Sequence, residues 1–422
     1  MARKMRDSGV EWIGEVPEGW EIGRIRSLFR EVSERYDAQS NNQLPLLSVS
    51  EYYGVAKRED KIKTGEVLVR AESLDGYKVC RAGDIVSNIM LAWKGALGFS
   101  PLSGIVSPAY SVYRPLKDVC SKYFHYLFRT DRYTDVFNKY STGIIASRLR
   151  LYSSEFYAIP AIIPPLSEQR RIADYLDEKC AAIDGAVEEL KRGIEDCKAW
   201  KKAIIFEAVT GKANVLAAKN TKVAKRQMRD SGIPWIGEIP EGWGMECVKH
   251  LFSIGRGRVI AATEVEQEGY PVYSSQTKNN GLLGYISSYD YDRNQLTWTT
   301  DGANAGTVFL REGKHNCTNV CGTLMPRDDS FSLRFVCYSL GYVTQYERRS
   351  DINGFKIMSN EMAHIKFPLP PLPEQQAIAD YLDEKCAAID ALVAEKEKLI
   401  TDLEAYKKSL IFELVTGKKE VA

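Results

Sequence analysis

The sequence lacks the features that would direct the chain into or across a membrane. No apolar run approaches the roughly 18 residues that a membrane-spanning helix needs. The opening residues, MARKMRDSG, are basic, but no apolar stretch follows them, so they do not match a secretory signal peptide. The 9 cysteines form no regular framework, which is typical of reduced thiols in a cytoplasm. These absences predict a cytoplasmic protein.

The sequence also lacks the motifs of the common enzyme classes. There is no phosphate-binding G-x-x-x-x-G-K-[ST], because Thr210-Gly211-Lys212 and its copy at residues 416–418 have no upstream glycine. No G-x-G-x-x-G follows a predicted strand, and the Asn-Pro-Pro-aromatic signature of amino-methyltransferases is missing. The polar turn at residues 301–304 is more typical of a surface loop than of a catalytic acid. We therefore predict no catalytic residue in this chain.

Histidine is scarce, with 4 in the chain, and no metal site is predicted. His315, Cys317 and Cys321 come close to metal-ligand spacing, but a fourth ligand and a paired C-x-x-C are missing. A buried pair of thiols in a strand-rich core is therefore the favoured interpretation.

Neither sign of charge is in large excess, since the net charge is +1. The segment from Trp20 to Pro165 is more basic than the chain as a whole, with 20 Lys and Arg against 15 Asp and Glu. Such an imbalance is a weak electrostatic indication of a nucleic-acid partner.

What the sequence does have is an internal repeat. Residues 5–20 read MRDSGVEWIGEVPEGW and residues 228–243 read MRDSGIPWIGEIPEGW. A second pair follows, PPLSEQRRIADYLDEKCAAID from residue 164 and PPLPEQQAIADYLDEKCAAID from residue 370. Repeats this long indicate one supersecondary plan used twice. The stretches between them, about residues 21–163 and 244–369, do not resemble each other, and we call them the first and second variable segments.

The second pair of repeats predicts two long helices, over residues 164–212 and 370–422. Their apolar residues recur at steps of three and four, which is the spacing of a coiled-coil seam. Gly211 and Gly417 are the predicted helix ends. Helices of about 40 residues would be roughly 60 Å long and, packed antiparallel, would form a spacer of fixed length. The predicted seam consists of Ile172, Leu176, Ile183, Leu190, Ile194, Ile378, Leu382, Ile389, Leu399 and Leu403.

Both variable segments are predicted to contain short strands followed by a helix. In the first segment, strands are predicted at residues 44–49, 67–71, 84–90 and 105–112, and a helix at residues 121–138. In the second, strands are predicted at residues 270–274, 282–286, 295–300, 306–310 and 322–325, and a helix at residues 331–347. The two segments therefore predict one α/β fold used twice, although their sequences are unrelated.

These elements predict an α+β fold class. Two α/β domains would be joined by two long antiparallel coiled-coil helices, with an internal pseudo-twofold repeat. The polar, basic stretch at residues 213–227 has no periodicity and is predicted to be a linker. The predicted domains are residues 1–163, 164–212, 213–227, 228–369 and 370–422.

Basic, aromatic and amide side chains of the variable segments are candidates for DNA contact. Gln and Asn can bind adenine edges, whereas Lys and Ser can hold phosphates. A plain surface loop or a solvated charged face explains each of them as well in isolation. The repeated Trp12, Trp20, Trp235 and Trp243 are expected to pack the constant frame instead. The candidates are Lys57, Arg58, Lys61, Lys63, Trp93, Lys94, Arg148, Arg150, Arg256, Arg258, Ser274, Ser275, Gln276, Lys278, Asn279 and Asn280.

The order of these segments resembles the specificity (S) subunit of type I restriction–modification systems, the HsdS family, over essentially the whole chain. The resemblance is carried by the tandem D-S-G-x-x-W-I-G-x-x-P-x-G-W motifs, the twin P-P-L-x-E-Q-x-x-I-A-x-Y-L-D helix starts and the repeated T-G-K ends. Each of these motifs alone is moderately specific, and their duplication in this order is strong evidence for the family.

The resemblance implies a non-catalytic subunit that recognises double-stranded DNA. The variable segments would be target recognition domains, each reading one half of a split asymmetric site, and the helices would set the spacer between the halves. Two DNA-adenine methyltransferase subunits would dock on the constant frame, and motor–nuclease subunits would join through them. S-adenosylmethionine, ATP and Mg would belong to those partners, and this chain would hold no cofactor.

Three alternatives stay open at this point. The chain could be the specificity subunit of a Type IIB-like nuclease–methyltransferase, which the neighbouring genes would distinguish. It could be a coiled-coil scaffold without base readout, which sequence-independent DNA binding of the complex would indicate. It could also be an enzyme with its own nuclease or methyl-transfer activity, for which S-adenosylmethionine binding by the purified chain would be the sign.

Overall fold

The computed structural model describes residues 3–37, 44–61, 74, 76–116, 119–145, 149–218, 226–352 and 354–421. The chain divides into two compact units, Met1–Leu190 with Lys398–Ala422, and Lys191–Glu397. Both units combine helices with short strands, and the predicted α+β class is confirmed. Among the described residues, no helix is long and apolar enough to span a membrane.

The first unit contains an N-terminal hairpin, a variable α/β domain and parts of two long helices. The described strands are β1 (Met5–Asp7), β2 (Glu15–Pro17), β3 (Glu21–Arg24), β4 (Phe29–Val32), β5 (Leu47–Ser50), β6 (Gly54–Lys57), β7 (Lys78–Cys80), β8 (Ile85–Asn88), β9 (Leu97–Phe99), β10 (Gly104–Val106), β11 (Tyr110–Pro115) and β12 (Pro160–Ile163). The helices are α1 (Ser121–Phe128), α2 (Asp131–Tyr140), α3 (Ser153–Ala158) and α4 (Leu166–Val209), the last of which continues past this unit.

The second unit repeats this plan. Its helices are α5 (Val215–Ala218), α6 (Val248–Leu251), α7 (Leu333–Glu347), α8 (Ser359–His364) and most of α9 (Leu372–Val415). Its described strands are β13 (Met228–Asp230), β14 (Glu238–Pro240), β15 (Gly244–Cys247), β16 (Phe252–Arg256), β17 (Tyr270–Tyr273), β18 (Leu282–Ile286), β19 (Tyr291–Asp292), β20 (Gln295–Thr299), β21 (Asp301–Gly302), β22 (Val308–Arg311), β23 (Lys314–Cys317), β24 (Cys321–Pro326), β25 (Arg349–Asp351), β26 (Gly354–Lys356) and β27 (Lys366–Leu369).

The two variable segments share one sheet topology. Each contains a four-stranded antiparallel sheet, in the order β4-β11-β8-β9 in the first unit and β16-β24-β20-β22 in the second. In both sheets the first strand along the chain lies at an edge beside the last one, followed by the second and the third. The ends of each segment are brought together by a further pair, β3 with β12 and β15 with β27. Unrelated sequences therefore give one fold used twice.

Each unit packs its sheet and helices around a core that includes both long helices. In the first unit, Phe124 and Phe128 of α1 lie against Phe29 of β4 and are fully buried. In the second, Trp298 of β20 is fully buried, and its indole nitrogen donates to the Ile357 carbonyl at 3.0 Å. Buried aromatic side chains of this size contribute much of the apolar area that stabilises such small sheets.

Three predicted elements differ from the structure. Residues 105–112 form two strands rather than one, because Tyr110 N donates to Ser107 O across a turn that contains Pro108. Residues 121–138 form two helices, since Thr130 is extended and its hydroxyl donates to Leu127 O at the end of α1. The predicted linker contains α5, whose Val215 is buried in the second unit's core. The predicted strand at residues 67–71 lies outside the described residues.

The long helices have close to their predicted bounds. They run over Leu166–Val209 and Leu372–Val415, with 44 residues each. Gly211 and Gly417 follow the helix ends with φ of 72° in both, a conformation that favours glycine. A Cβ on Gly417 would lie 2.3 Å from Pro17 Cγ, and one on Gly211 would lie 2.4 Å from Pro240. Both glycines therefore end a helix and also allow it to approach a repeated hairpin closely.

Within each unit the two helices pair antiparallel. In the first unit, Lys407 Nζ lies 2.6 Å from Asp184. In the second, Lys201 Nζ lies 2.7 Å from Asp390. Most of the predicted seam is buried or half-buried, namely Ile172, Leu176, Ile183, Leu190, Ile194, Ile378, Leu382, Ile389 and Leu403.

The prediction of Leu399 as a seam residue is wrong. Its side chain is 45% exposed, whereas Ile400 is half-buried. The three-and-four stepping continues through the half-buried Lys396, whose side-chain end lies over Gly193 of α4 with Nζ nearest. Because a lysine rather than an apolar residue takes this position, the seam register is not visible from hydrophobicity alone at this point.

Candidate nucleic-acid interface

The repeated hairpins are fixed to the long helices by one cluster that occurs in both units. In the first unit, the Trp20 indole donates to Glu168 at 2.7 Å and the Arg3 guanidinium donates to the same carboxylate at 2.6 Å. Arg3 also lies over the Trp20 ring, 4.9 Å from its centroid. Charge-assisted hydrogen bonds of this kind are stronger than neutral ones, so the cluster ties each hairpin to the first turn of a helix.

The second unit repeats this cluster residue for residue. Trp243 donates to Glu374 at 3.1 Å, and Arg226 donates to the same side chain. Trp20 and Trp243 are 1% and 3% exposed, while Trp12 and Trp235 pack partly buried against the two cores. The prediction that the tryptophans pack the constant frame is therefore confirmed for Trp20 and Trp243, whereas the rings of Trp12 and Trp235 lie against tyrosines of the variable segments.

A glutamine of each long helix holds the backbone ahead of the variable helix. Gln169 accepts from Cys120 N at 2.9 Å and donates to Pro164 O at 2.8 Å. Gln375 accepts from Ser332 N at 2.8 Å and donates to Pro370 O at 2.7 Å. The two glutamines are nearly fully buried, so each satisfies backbone groups that would otherwise be costly to bury.

On each long helix, an aspartate eight residues after this glutamine binds two side chains of the variable helix. In the first unit, Lys122 and Tyr126 of α1 donate to Asp177, both at 2.7 Å. In the second unit, Arg334 and Tyr338 of α7 donate to Asp383 at 2.6 and 2.8 Å.

The two variable helices share this pattern although their segments are otherwise unrelated. In both, a basic residue stands two positions after the amide that the glutamine binds, and a tyrosine follows four positions later. Burial raises the pKa of Tyr126 and of Tyr338, and the neighbouring aspartate adds to the shift. Both phenols therefore stay protonated and can donate to the constant frame.

None of these glutamate, glutamine and aspartate side chains is among the residues predicted from sequence. A signal was present, because Glu168, Gln169 and Asp177 recur 206 residues later as Glu374, Gln375 and Asp383. Solvent-facing helix positions are free to vary, so identical polar residues in both copies indicate shared contacts.

The predicted DNA-contact residues of the first unit lie at several separate places. Lys57 and Arg58 are half-buried at the end of β6, and Arg150 is exposed beside Thr142. Lys94 is exposed and lies 5.2 Å from the centroid of the Trp93 ring, whose indole donates to Met90 O. Lys63, Arg148 and the side chain of Lys61 lie outside the described residues. The Leu151 amide donates to Ile89 O at 2.9 Å, so the backbone next to Arg150 lies beside Met90 and near the Trp93–Lys94 pair.

Two arginine candidates of the second unit are bound by the protein itself. Arg258 is exposed but forms ion pairs with Asp290 at 3.0 Å and Glu264 at 3.4 Å. The Arg256 guanidinium donates to Asn319 O. Because two carboxylates compensate its charge, Arg258 offers less attraction to a phosphate than an unpaired arginine would.

The amide-rich loop of the second unit connects β17 to β18. Ser274 and Ser275 are half-buried, and Gln276, Lys278, Asn279 and Asn280 are exposed. Asn279 and Asn280 have φ of 49° and 53°, the left-handed conformation that asparagine tolerates best among residues with a side chain. The exposed side chains of Asn279 and Asn280 thus protrude as a base-contacting loop requires, whereas the Gln276 amide donates to Leu282 O within the hairpin.

The residues considered for a metal site form a buried, strand-rich cluster instead. His315 Nδ1 lies 2.8 Å from Gly313 O, its ring stacks on Tyr291, and burial lowers its pKa. Burial raises the pKa of the Cys317 thiol to about 12, and Cys321 is buried beside it. The described part of the chain contains no group of three or more His, Cys, Asp or Glu that could hold a metal ion.

The chain is similar in sequence to known type I specificity subunits. A family model described as the type I restriction modification DNA specificity domain matches residues 240–401. A candidate type I specificity subunit of Mycoplasma pneumoniae is 33% identical over 41% of this chain, which spans 58% of that protein's length. The N-terminal part of another, from the same organism, is 38% identical over 32% of this chain and 74% of its own length.

The fold matches over nearly the whole chain. A solved structure from work on the assembly and conformational transition of the type I R-M system covers 96% of this chain and 99% of its own, with a TM-score of 0.69 at 18% identity. The chain belongs to the family of type I restriction–modification specificity subunits, and the predicted resemblance is confirmed.

Proposed function

We propose that this chain is the non-catalytic DNA specificity subunit of a type I restriction–modification complex. The observation that carries the proposal is the use of identical frame contacts around two unrelated variable segments. Gln169 and Asp177 bind the first segment, and Gln375 and Asp383 bind the second in the same way. A constant frame that presents two interchangeable domains is what recognition of a target with two different halves requires.

The paired helices would set the distance between the two half-sites. Two domains on one duplex must keep a fixed phase, since B-DNA turns once in about 34 Å. The helices are joined by a seam of apolar residues and by ion pairs such as Lys407–Asp184 and Lys201–Asp390. Paired helices of this kind form a stiff spacer, whereas a flexible linker would let the distance vary.

The same helices offer surface to partner subunits. Trp200 in the second unit is 55% exposed, and Tyr406, its equivalent in the first unit, is 52% exposed. Large aromatic residues are enriched at protein interfaces, so one DNA-adenine methyltransferase subunit would dock at each position. Motor–nuclease subunits would join through the methyltransferases, which would bring S-adenosylmethionine, ATP and Mg. A net charge of +1 fits a subunit whose partners supply much of the phosphate contact.

The proposal is tested by mapping methylated adenines in cells that express this chain with its neighbouring methyltransferase. We expect a split asymmetric motif that appears only when the chain is present. Exchange of residues 21–163 for another variable segment should change one half-site and leave the other unchanged. A motif that changes in both halves would contradict the modular assignment, and an assembled complex without any new methylation would favour a scaffold.

A further inference from the structure

The two variable domains carry equivalent hairpins. In the first unit β5 pairs with β6, and in the second β17 pairs with β18, and each hairpin directly follows the first strand of the four-stranded sheet. The first strand of each hairpin also has a parallel neighbour, through Leu46 and Ile105 in the first unit and through β17 and β23 in the second. We call residues 51–53 and 274–281 the first and second hairpin tips.

A buried arginine holds the second tip. Arg311 of β22 is 1% exposed, and its guanidinium lies between Tyr273 and Phe309, 3.7 and 4.4 Å from the ring centroids. Its Nη1 donates to Asn280 O at 2.7 Å and its Nε donates to Thr297 at 3.0 Å. Its Nη2 is buried and has no partner among the described residues. The backbone of the second tip is therefore held by a buried side chain of the neighbouring sheet.

A different element supplies an arginine to the first tip. Arg129, at the end of α1, donates to Ser50 O at 3.2 Å and to Glu51 O at 2.8 Å. The same guanidinium donates to Gly95 O at 2.7 Å, which follows Trp93 and Lys94. An arginine thus binds the tip backbone in both domains, at the start of the first tip and near the end of the second, although one comes from a helix and the other from a strand.

Neither arginine is neutralised by an acid. In the part of the chain that the structure describes, no carboxylate lies within ion-pair distance of Arg129 or Arg311, and both bind carbonyl oxygens instead. Arg129 is half-buried and Arg311 is buried, and the loss of water around the charge lowers the pKa of Arg129 to about 10 and also lowers that of Arg311. A buried cation without a counter-ion is costly to the fold, and it makes the surface above it attractive to an anion.

The tips themselves are exposed. Tyr52 is 84% exposed at the first tip, and residues 276–280 are all exposed at the second. Asn279, Asn280 and Gly281 have φ of 49°, 53° and 79°, so three consecutive left-handed residues turn the second tip. This backbone presents the side chains of Asn279 and Asn280 outward, and the Asn280 carbonyl is bound to Arg311.

We propose that the two hairpin tips are the base-reading elements of their domains and that Arg129 and Arg311 are positioning residues that hold them. This inference rests on the proposed function and deepens it, because it names the part of each domain that reads DNA. The arginines hold the tip backbone and leave a positive charge beneath it, while the tip side chains contact the bases. Each arginine acts on its own half-site only.

The test uses the full chain with its methyltransferase subunits and maps methylated adenines for a set of variants. Tyr52→Ala changes the first tip, and Asn279→Gly with Asn280→Gly changes the second without straining its left-handed backbone. Arg129→Met and Arg311→Met remove the positioning groups. Arg349→Gln, which changes an exposed arginine that pairs with Glu361, is the control and should alter neither half-site.

We expect each tip variant to lower methylation at cognate sites roughly tenfold or more and to relax bases in one half-site only. Each Arg→Met variant should relax the same bases as the tip variant of its domain, and the other half-site should stay intact as an internal control of assembly. A general packing defect would lower methylation without relaxing the preference for the same bases as the tip variant of that domain.

The outcomes separate this inference from the proposed function. If the unaltered chain directs no split motif, the proposed function fails and this inference fails with it. If the unaltered chain gives a split motif but both tip variants leave it unchanged, the inference alone is overturned. If an Arg→Met variant does not assemble, the tip variants still decide, because they change exposed side chains only.

Discussion

Replacement of Glu168 by leucine should destabilise the first unit strongly. Its carboxylate is the acceptor for the Trp20 indole and for the Arg3 guanidinium, and the three side chains have little contact with water. Glu168→Leu would leave a buried N–H and a largely buried cation without their partner. Such losses cost about 2–4 kcal/mol together, after a discount for the partial exposure of Arg3.

The assay is thermal unfolding of the full chain, compared across four variants. For units of about 200 residues, each kcal/mol shifts the midpoint by about 2–4 °C, so Glu168→Leu should lower it by roughly 4–16 °C. Glu374→Leu should give a comparable loss, because the second unit repeats the cluster. Glu168→Gln keeps one acceptor oxygen and should lose less. Glu178→Leu, at a position 72% exposed, is the matched control. A shift for Glu168→Leu no larger than that of Glu178→Leu would refute the reasoning.

Three further predictions concern the glycines at the helix ends, the half-buried His125 and the spacer. Gly417→Ala should lower the free energy of unfolding by about 1–3 kcal/mol in urea denaturation, because it strains a residue with φ of 72° and places a Cβ 2.3 Å from Pro17. The control, Gly185→Ala, lies in a helix with no atom near the new Cβ and should be neutral or stabilising. Burial lowers the pKa of His125 to about 3, so the unfolded chain takes up a proton below about pH 6.5 that the folded chain does not. The contribution of His125 to the free energy of unfolding should therefore be retained above that pH and fall as the pH is lowered towards 3, by up to about 1.4 kcal/mol per pH unit. His125→Gln should reduce this slope in urea titrations at several pH values. Insertion of one heptad into each long helix, about 10 Å, should lengthen the DNA spacer by roughly three base pairs in methylation maps, and an unchanged spacer would exclude the ruler role.

Periodicity made the long helices and most of their seam predictable. Apolar residues at steps of three and four need no tertiary information, so the bounds were correct within two or three residues, except that the second helix ends at Val415 and not at 422. The seam prediction failed at Leu399, because Lys396 continues the pattern one residue out of the apolar register. The internal repeat held the missing information, because Ile400 is the counterpart of Ile194, which is buried.

The candidate interface was less predictable, because burial and pairing depend on contacts distant in sequence. The sequence does not show that Arg258 forms ion pairs with Asp290 and Glu264, so it was predicted as a cation available to DNA. Arg311 ends a short strand and gives no sign in the sequence that two aromatic rings enclose it. The amide-rich loop could be identified, since a run of Ser, Gln and Asn after a strand is visible in the sequence, but the group that holds it could not.

The discontinuous first unit has a consequence for folding during synthesis. Residues Lys191–Glu397 are contiguous, so the second unit can complete its core as soon as it leaves the ribosome. The first unit includes Leu410, Leu414 and Val415 in its core, and Tyr123 donates to Val415 O at 2.8 Å. The first unit therefore cannot complete its core until the end of α9 has been synthesised, and the apolar residues that α9 covers stay exposed until then. Contacts so distant in sequence form slowly, and the nascent first half is the stage at which this protein should depend most on chaperones.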